Sequence, residues 1–132
     1  SGYKCKISFS NLDTLQKMLA GKVVNQAIMS FEIDNSLMTN DIMPHSQLHL
    51  ARLDSDGNIV DLTDYVLEGS SFFGGRLENE MYNFNVTRYL HELLFDNAYT
   101  NHLYLLDKSA NSNANRSIIN KEVELNIIYS DL

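Results

Sequence analysis

Asp54, Asp56, Asn58, Asp61 and Asp64 place five oxygen-bearing side chains within eleven residues. Clustered carboxylates and amides are what a hard cation such as calcium takes as ligands. The spacing departs from an EF-hand loop, because Gly57 comes too early and no terminal bidentate glutamate follows. Asp56-Gly57-Asn58 is also the chemistry of a tight hairpin turn, which needs no ion. The expectation is a turn flanked by exposed acids, with Asp54, Asp56, Asn58 and Asp61 as the calcium candidates. His45 and His49 are four apart, the spacing of two zinc ligands on a helix. Pro44 and the alternation through Leu48 and Leu50 indicate strand or loop instead. On a strand the two imidazoles stand roughly 13 Å apart, at about 3.3 Å per residue, too far to share a metal. No metal is expected there.

Other groups with chemistry lack the neighbours that chemistry needs. Ser70 and Ser71 have no G-x-S-x-G elbow and no base at a fixed offset. Cys5, the single cysteine, lies on the apolar face of a strand pattern, where a buried and inert thiol is the rule. Gly69, Gly74 and Gly75 are not followed by Lys-[Ser/Thr], so no phosphate loop is formed. Asn85-Val86-Thr87 and Asn115-Arg116-Ser117 match the glycosylation pattern, but Asn85 falls inside an expected strand. No catalytic residue and no cofactor are expected. Tyr65, Phe72, Phe73 and Tyr99 remain as candidates for an exposed ligand-binding cluster, in a chain with no tryptophan.

The elements that must position these groups are short. Cys5, Ile7 and Phe9 alternate with Lys4, Lys6 and Ser8, which is a half-buried strand. Ser10-Asn11-Leu12-Asp13 is a helix-start signal, followed by Leu12, Leu15, Met18 and Leu19 at helical spacing and a stop at Gly21. Ala27, Met29, Phe31 and Ile33 restore period two, as do Leu48 and Leu50. Residues 59–62 read as the return strand of a hairpin. Tyr65 to Leu67 and Phe72-Phe73 are short apolar pieces, and Tyr82, Phe84 and Val86 form another strand face. At Thr87, a plausible N-cap, the period changes to helical through Tyr89, Leu90, Leu93 and Leu94. Leu103 and Leu105 mark a strand, and Val123, Leu125, Ile127 and Tyr129 a last one, with Glu122, Glu124 and Asn126 outward. Strands dominate, and two short helices are too few to connect parallel strands. The expected fold is all-β, a mostly antiparallel sandwich with two short helices, spanning residues 1–132 as one domain.

Composition narrows the partners. Ten Lys and Arg stand against 17 Asp and Glu, a net charge of -7. That balance argues against nucleic acid, whose binders collect cations. Only six Gly and one Pro are present, while fifteen Asn are concentrated between elements and serve the turns instead.

Several segments carry a resemblance to a known family. Tyr82-Asn83-Phe84-Asn85-Val86-Thr87-Arg88, then Asn101-His102-Leu103-Tyr104-Leu105, Ala114-Asn115-Arg116 and Leu125-Asn126-Ile127-Ile128-Tyr129 come in order. Upstream, Lys4-Cys5-Lys6-Ile7 and Val24-Asn25-Gln26-Ala27 complete the pattern. In this order they resemble the C-terminal part of a Bacteroidetes lipoprotein family known as domain of unknown function 4270. The resemblance implies export, a lipid anchor upstream of this chain, and an outer-membrane or cell-surface address. This stretch would then be the C-terminal part of a longer precursor, touching membrane only through that anchor. A looser likeness extends to jelly-roll surface modules, some of which bind carbohydrate. Asn85 stands where those carry Asp, and His102 where they carry Gly. The functional expectation is a non-catalytic structural or interaction domain, with a glycan or another surface protein as partner. The alternative is a carbohydrate-binding module on a jelly-roll sandwich.

Overall fold

The computed structural model describes residues 4–38, 43–96, 102–107, 119–120 and 122–132. The described residues form eight strands: β1 (Lys4–Ser8), β2 (Lys22–Glu32), β3 (His49–Leu53), β4 (Ile59–Asp61), β5 (Gly74–Glu78), β6 (Met81–Asn85), β7 (His102–Leu106) and β8 (Glu124–Asp131); all but the glycine-led β5 fall where alternation or the hairpin turn places them. They form two four-stranded sheets, ordered β1-β7-β3-β4 and β5-β6-β2-β8, in which every pairing is antiparallel. The fold is an antiparallel β-sandwich. Between the sheets lie the inward residues of both, among them Met29, Phe31, Leu50, Phe84, Leu103 and Leu105, all essentially without solvent exposure.

The described residues hold four helices where two were expected: α1 (Leu12–Met18), α2 (Thr63–Glu68), α3 (Ser70–Phe73) and α4 (Thr87–Phe95). The additional pair, α2 and α3, takes up the short apolar pieces at Tyr65–Leu67 and Phe72-Phe73. Each spans less than two turns, too little to show a helical period, and Gly69 at φ +87° breaks the chain between them. On α1, Leu19 is buried and Leu12 and Leu15 are half-buried, but Met18 is 67% exposed and leaves the expected core stripe. The apolar stripe of α4 is as expected: Tyr89, Leu90, Leu93 and Leu94 are all buried.

One side of the sandwich is closed by the chain itself. Before β3, Leu48 N donates to Gly75 O (2.8 Å), and Leu77 N donates to Ser46 O (2.8 Å). Residues 46–48 therefore pair with β5 in one sheet before the chain turns the corner into β3 of the other. The crossing is so close that a Cβ on Gly75 would lie 2.3 Å from Leu48 O, and Gly75 has φ +101°. Only glycine fits that corner. The opposite side, between β1, α1 and β8, is lined among the described residues by an apolar groove of about 700 Å³. Cys5, Ile7, Phe9 and Leu125 face it, which is why these inward positions, like Ile127 further along β8, are half-buried rather than buried. No described helix is long and apolar enough to cross a membrane.

Candidate functional site

A cleft lined by both an exposed aromatic ring and polar side chains lies where β2 meets α4 and α2–α3. It has a volume of about 640 Å³. Its floor comes from an irregularity in β2: the register against β8 shifts between Val24 and Gln26, leaving Asn25 as the extra residue. A bulge breaks the period-two alternation and re-aims side chains. Asn25 and Gln26 are consequently exposed in succession, between the buried Val24 and Ala27.

The far wall is α4, pinned by hydrogen bonds that the sequence pattern does not announce. Val86, the residue before α4, has no side-chain oxygen, and Thr87 lies inside the first turn, so the cap expected at Thr87 is not made. Thr87 Oγ1 instead donates to Asn85 Oδ1 (2.6 Å) and accepts from Ala27 N (3.0 Å), tying the helix start to β2. The capping acceptor comes from α2. Asp64 Oδ1 accepts from Arg88 N (2.8 Å) and Oδ2 from Tyr89 N (2.9 Å). Two N–H groups of the first helical turn are thereby satisfied by one carboxylate 24 residues upstream. Asp64 is 1% exposed, and that burial, with a smaller contribution from Glu92, raises its pKa above the ordinary 3.8 despite both backbone donors.

A second link joins the same walls. Glu68 Oε1 accepts from Arg88 Nη2 (2.8 Å) and Nε (3.2 Å), and this bond keeps the guanidinium pKa above its usual value. Beside the pair stands Phe72, 55% exposed, on α3. His91, Glu92 and Asp96 continue the rim along α4. The arrangement offers one open aromatic face surrounded by planar amide, carboxylate, imidazole and guanidinium edges.

The other candidates are placed elsewhere. Asp54 organises the β3–β4 turn: its Oδ1 accepts from Asp56 N (2.9 Å) and Asn58 N (2.8 Å), which lowers its pKa. Asp56 is exposed in that turn, whereas Asp61 reaches His49 Nε2 at 2.7 Å and Asp64 lies at α4. The acids that are close in sequence thus diverge to separate tasks. Among the described residues, no group of three or more His, Cys, Asp or Glu stands where it would hold one metal ion. His45 and His49 are both buried and face different acids, Asp107 (3.4 Å) and Asp61. Ser70 and Ser71 line a separate polar hollow of about 360 Å³ with Arg76, Glu78 and Asn83. Cys5 is half-buried in the groove beside β1.

The four candidate aromatics do not assemble into a strip. Phe73 is 1% exposed and packs against Phe84, and half-buried Tyr65 meets His49 edge-on at 4.8 Å between ring centres. Adjacent residues on one helical turn point about 100° apart, so burying Phe73 leaves Phe72 facing outward. Tyr99 lies outside the described residues. Asn25, Gln26 and Arg88 lie within segments that carry the family resemblance, yet no chemical motif marks them or Glu92 as site residues; the other signal was the pair of polar residues interrupting the β2 alternation. No family model matches the chain, and neither a curated protein nor a solved structure matches it.

Proposed function

We propose that this chain is a non-catalytic interaction domain of a lipid-anchored bacterial surface protein, and that the cleft between the β2 bulge and α4 is its contact site. The surface address rests on the family resemblance of the strand and helix motifs. The binding role rests on one observation. Phe72, on α3 next to the buried Phe73, holds an apolar ring 55% open to solvent beside α4, the wall pinned by hydrogen bonds from Asp64. An exposed ring on a rigid support loses little freedom when it is covered, and so favours binding.

The polar groups of the cleft have structural tasks that suit a holder more than a catalyst. Asp64 caps α4, Glu68 secures Arg88, and Asn85 and Thr87 fix the start of α4. Catalysis asks for a nucleophile or activated water next to a base and a stabiliser of developing charge. The test is site-directed photo-crosslinking on intact cells of the source bacterium. A benzophenone side chain at position 72 should give a discrete adduct. The same group at Leu37, exposed beyond the opposite end of β2, should give none. Equal adducts at both positions, or none at either, would contradict the reading.

A further inference from the structure

We propose that the cleft binds an uncharged saccharide, with one face of a sugar ring lying on Phe72 and its hydroxyls meeting the planar polar side chains around it. This rests on the reading of the cleft as the contact site and adds the class of ligand. Three observations lead to it.

The first is charge. The ionisable lining comprises Asp64, Glu68, Glu92 and Asp96 against Arg88 and His91. A phosphate, nucleotide or acidic glycan would enter against this excess of carboxylates. The second is how those carboxylates are used. Asp64 accepts from two backbone N–H groups, and Glu68 takes both Nη2 and Nε of Arg88. The charges of these two are committed to neighbours, and Asp96 stands 4.0 Å from His91, so most of the carboxylates are not left open for capture of a cation. The third is what remains at the surface. Phe72 presents an open ring, and in the same lining the bulge turns Gln26 outward beside Asn25, whose Nδ2 donates to Ser130 Oγ at 3.1 Å and whose Oδ1 lies at the surface. An amide offers a donor and an acceptor in one plane, and a paired guanidinium and carboxylate do the same. Neighbouring hydroxyls of a sugar have the matching combination, while the C–H face of the ring is the apolar surface that an aromatic side chain covers.

An anionic ligand fails on charge and a basic peptide on committed carboxylates. A purely apolar ligand would strand the amides and the Glu68–Arg88 pair without water.

The experiment starts with the purified chain on an array of neutral, amino, sulfated and sialylated oligosaccharides. The best-bound neutral oligosaccharide is then titrated calorimetrically into the native chain and into Phe72→Ala, Gln26→Ala and Leu37→Ala. The expected result is binding to uncharged glycans that changes little between 0.05 and about 0.5 M salt, since no net charge is neutralised. Phe72→Ala should weaken it tenfold or more and Gln26→Ala severalfold, with Leu37→Ala unchanged. All three variants should melt like the native chain, because these side chains are exposed. Preference for sulfated or sialylated glycans overturns the proposal. So does binding only to amino sugars that disappears in salt, or binding indifferent to Phe72→Ala. Absence of glycan binding also overturns it. If position 72 nevertheless crosslinks to a protein on cells, the interaction reading stands without the saccharide; if it crosslinks to nothing, both fall.

Discussion

Replacing Asp64 by Ala removes the carboxylate that caps Arg88 N and Tyr89 N at the start of α4, and the consequence can be sized from the contacts. Arg88 N and Tyr89 N each lose an acceptor at 2.8 and 2.9 Å, and Tyr89 is buried, so water cannot fully substitute. A stranded buried N–H costs about 1–3 kcal/mol, and loss of a helix cap typically about 1 kcal/mol. Relief of the buried carboxylate offsets part of this, and a net loss of roughly 2–3 kcal/mol is expected. For a domain of this size that lowers Tm by about 10 °C. Urea unfolding followed by far-UV circular dichroism would measure it. A loss below about 0.5 kcal/mol would refute the assignment of Asp64 as the cap. The pH dependence supplies an independent check through Asp64→Asn. Because burial raises the folded pKa of Asp64 above its unfolded value, the folded state holds the proton more tightly. The contribution is therefore complete below about pH 3.8 and is lost as pH rises through the folded pKa. The stability gap between the native chain and Asp64→Asn should narrow from pH 3 to pH 6. A gap that widens over that range would mean that the two backbone donors outweigh burial.

Two further substitutions test the corner and the tight turn. Gly75→Ala should cost at least about 3 kcal/mol, since its Cβ would lie 2.3 Å from Leu48 O at a backbone angle of φ +101°; a near-neutral urea midpoint would show that the sheet-switching corner is misplaced. Glu80→Gly should stabilise by about 0.5 kcal/mol: Asn79 and Glu80 form the two-residue β5–β6 turn at φ 50° and 63°, where glycine relieves strain. The gain is reduced by loss of the exposed Asn35–Glu80 hydrogen bond, and a lower urea midpoint would contradict it.

Period-two alternation made the sheet residues legible. Met29, Phe31, Leu50, Phe84, Leu103 and Leu105 are where their spacing put them because a strand with one buried face admits one inward set. The stripe of α4 was legible for the same reason at helical spacing. Its start at Thr87 was legible too, but the group that caps it was not. Thr87 has the chemistry of a cap, yet the acceptor comes from Asp64, which only tertiary folding brings to the helix. Helices α2 and α3 escaped because a turn or two shows no period, and with them went the distinction between buried Phe73 and exposed Phe72. The acidic run reads in sequence as an Asp56-Gly57-Asn58 turn flanked by exposed acids; the turn is there, organised by Asp54, but sequence proximity hid that Asp61 belongs to His49 and buried Asp64 to α4. The cleft itself was invisible, because its walls come from β2, α2, α3 and α4, which no chemical motif joins in the sequence.

Phe72→Ala, assayed for stability and for binding in one preparation, tests the central claim most directly. A ring kept exposed for a partner contributes to contact and not to folding, so the urea midpoint should shift by less than the equivalent of about 0.5 kcal/mol. Cosedimentation with cell envelopes of the source organism should at the same time fall at least tenfold. A variant that loses stability while binding as the native chain does would make Phe72 a structural residue and contradict the assignment of the cleft as the contact site.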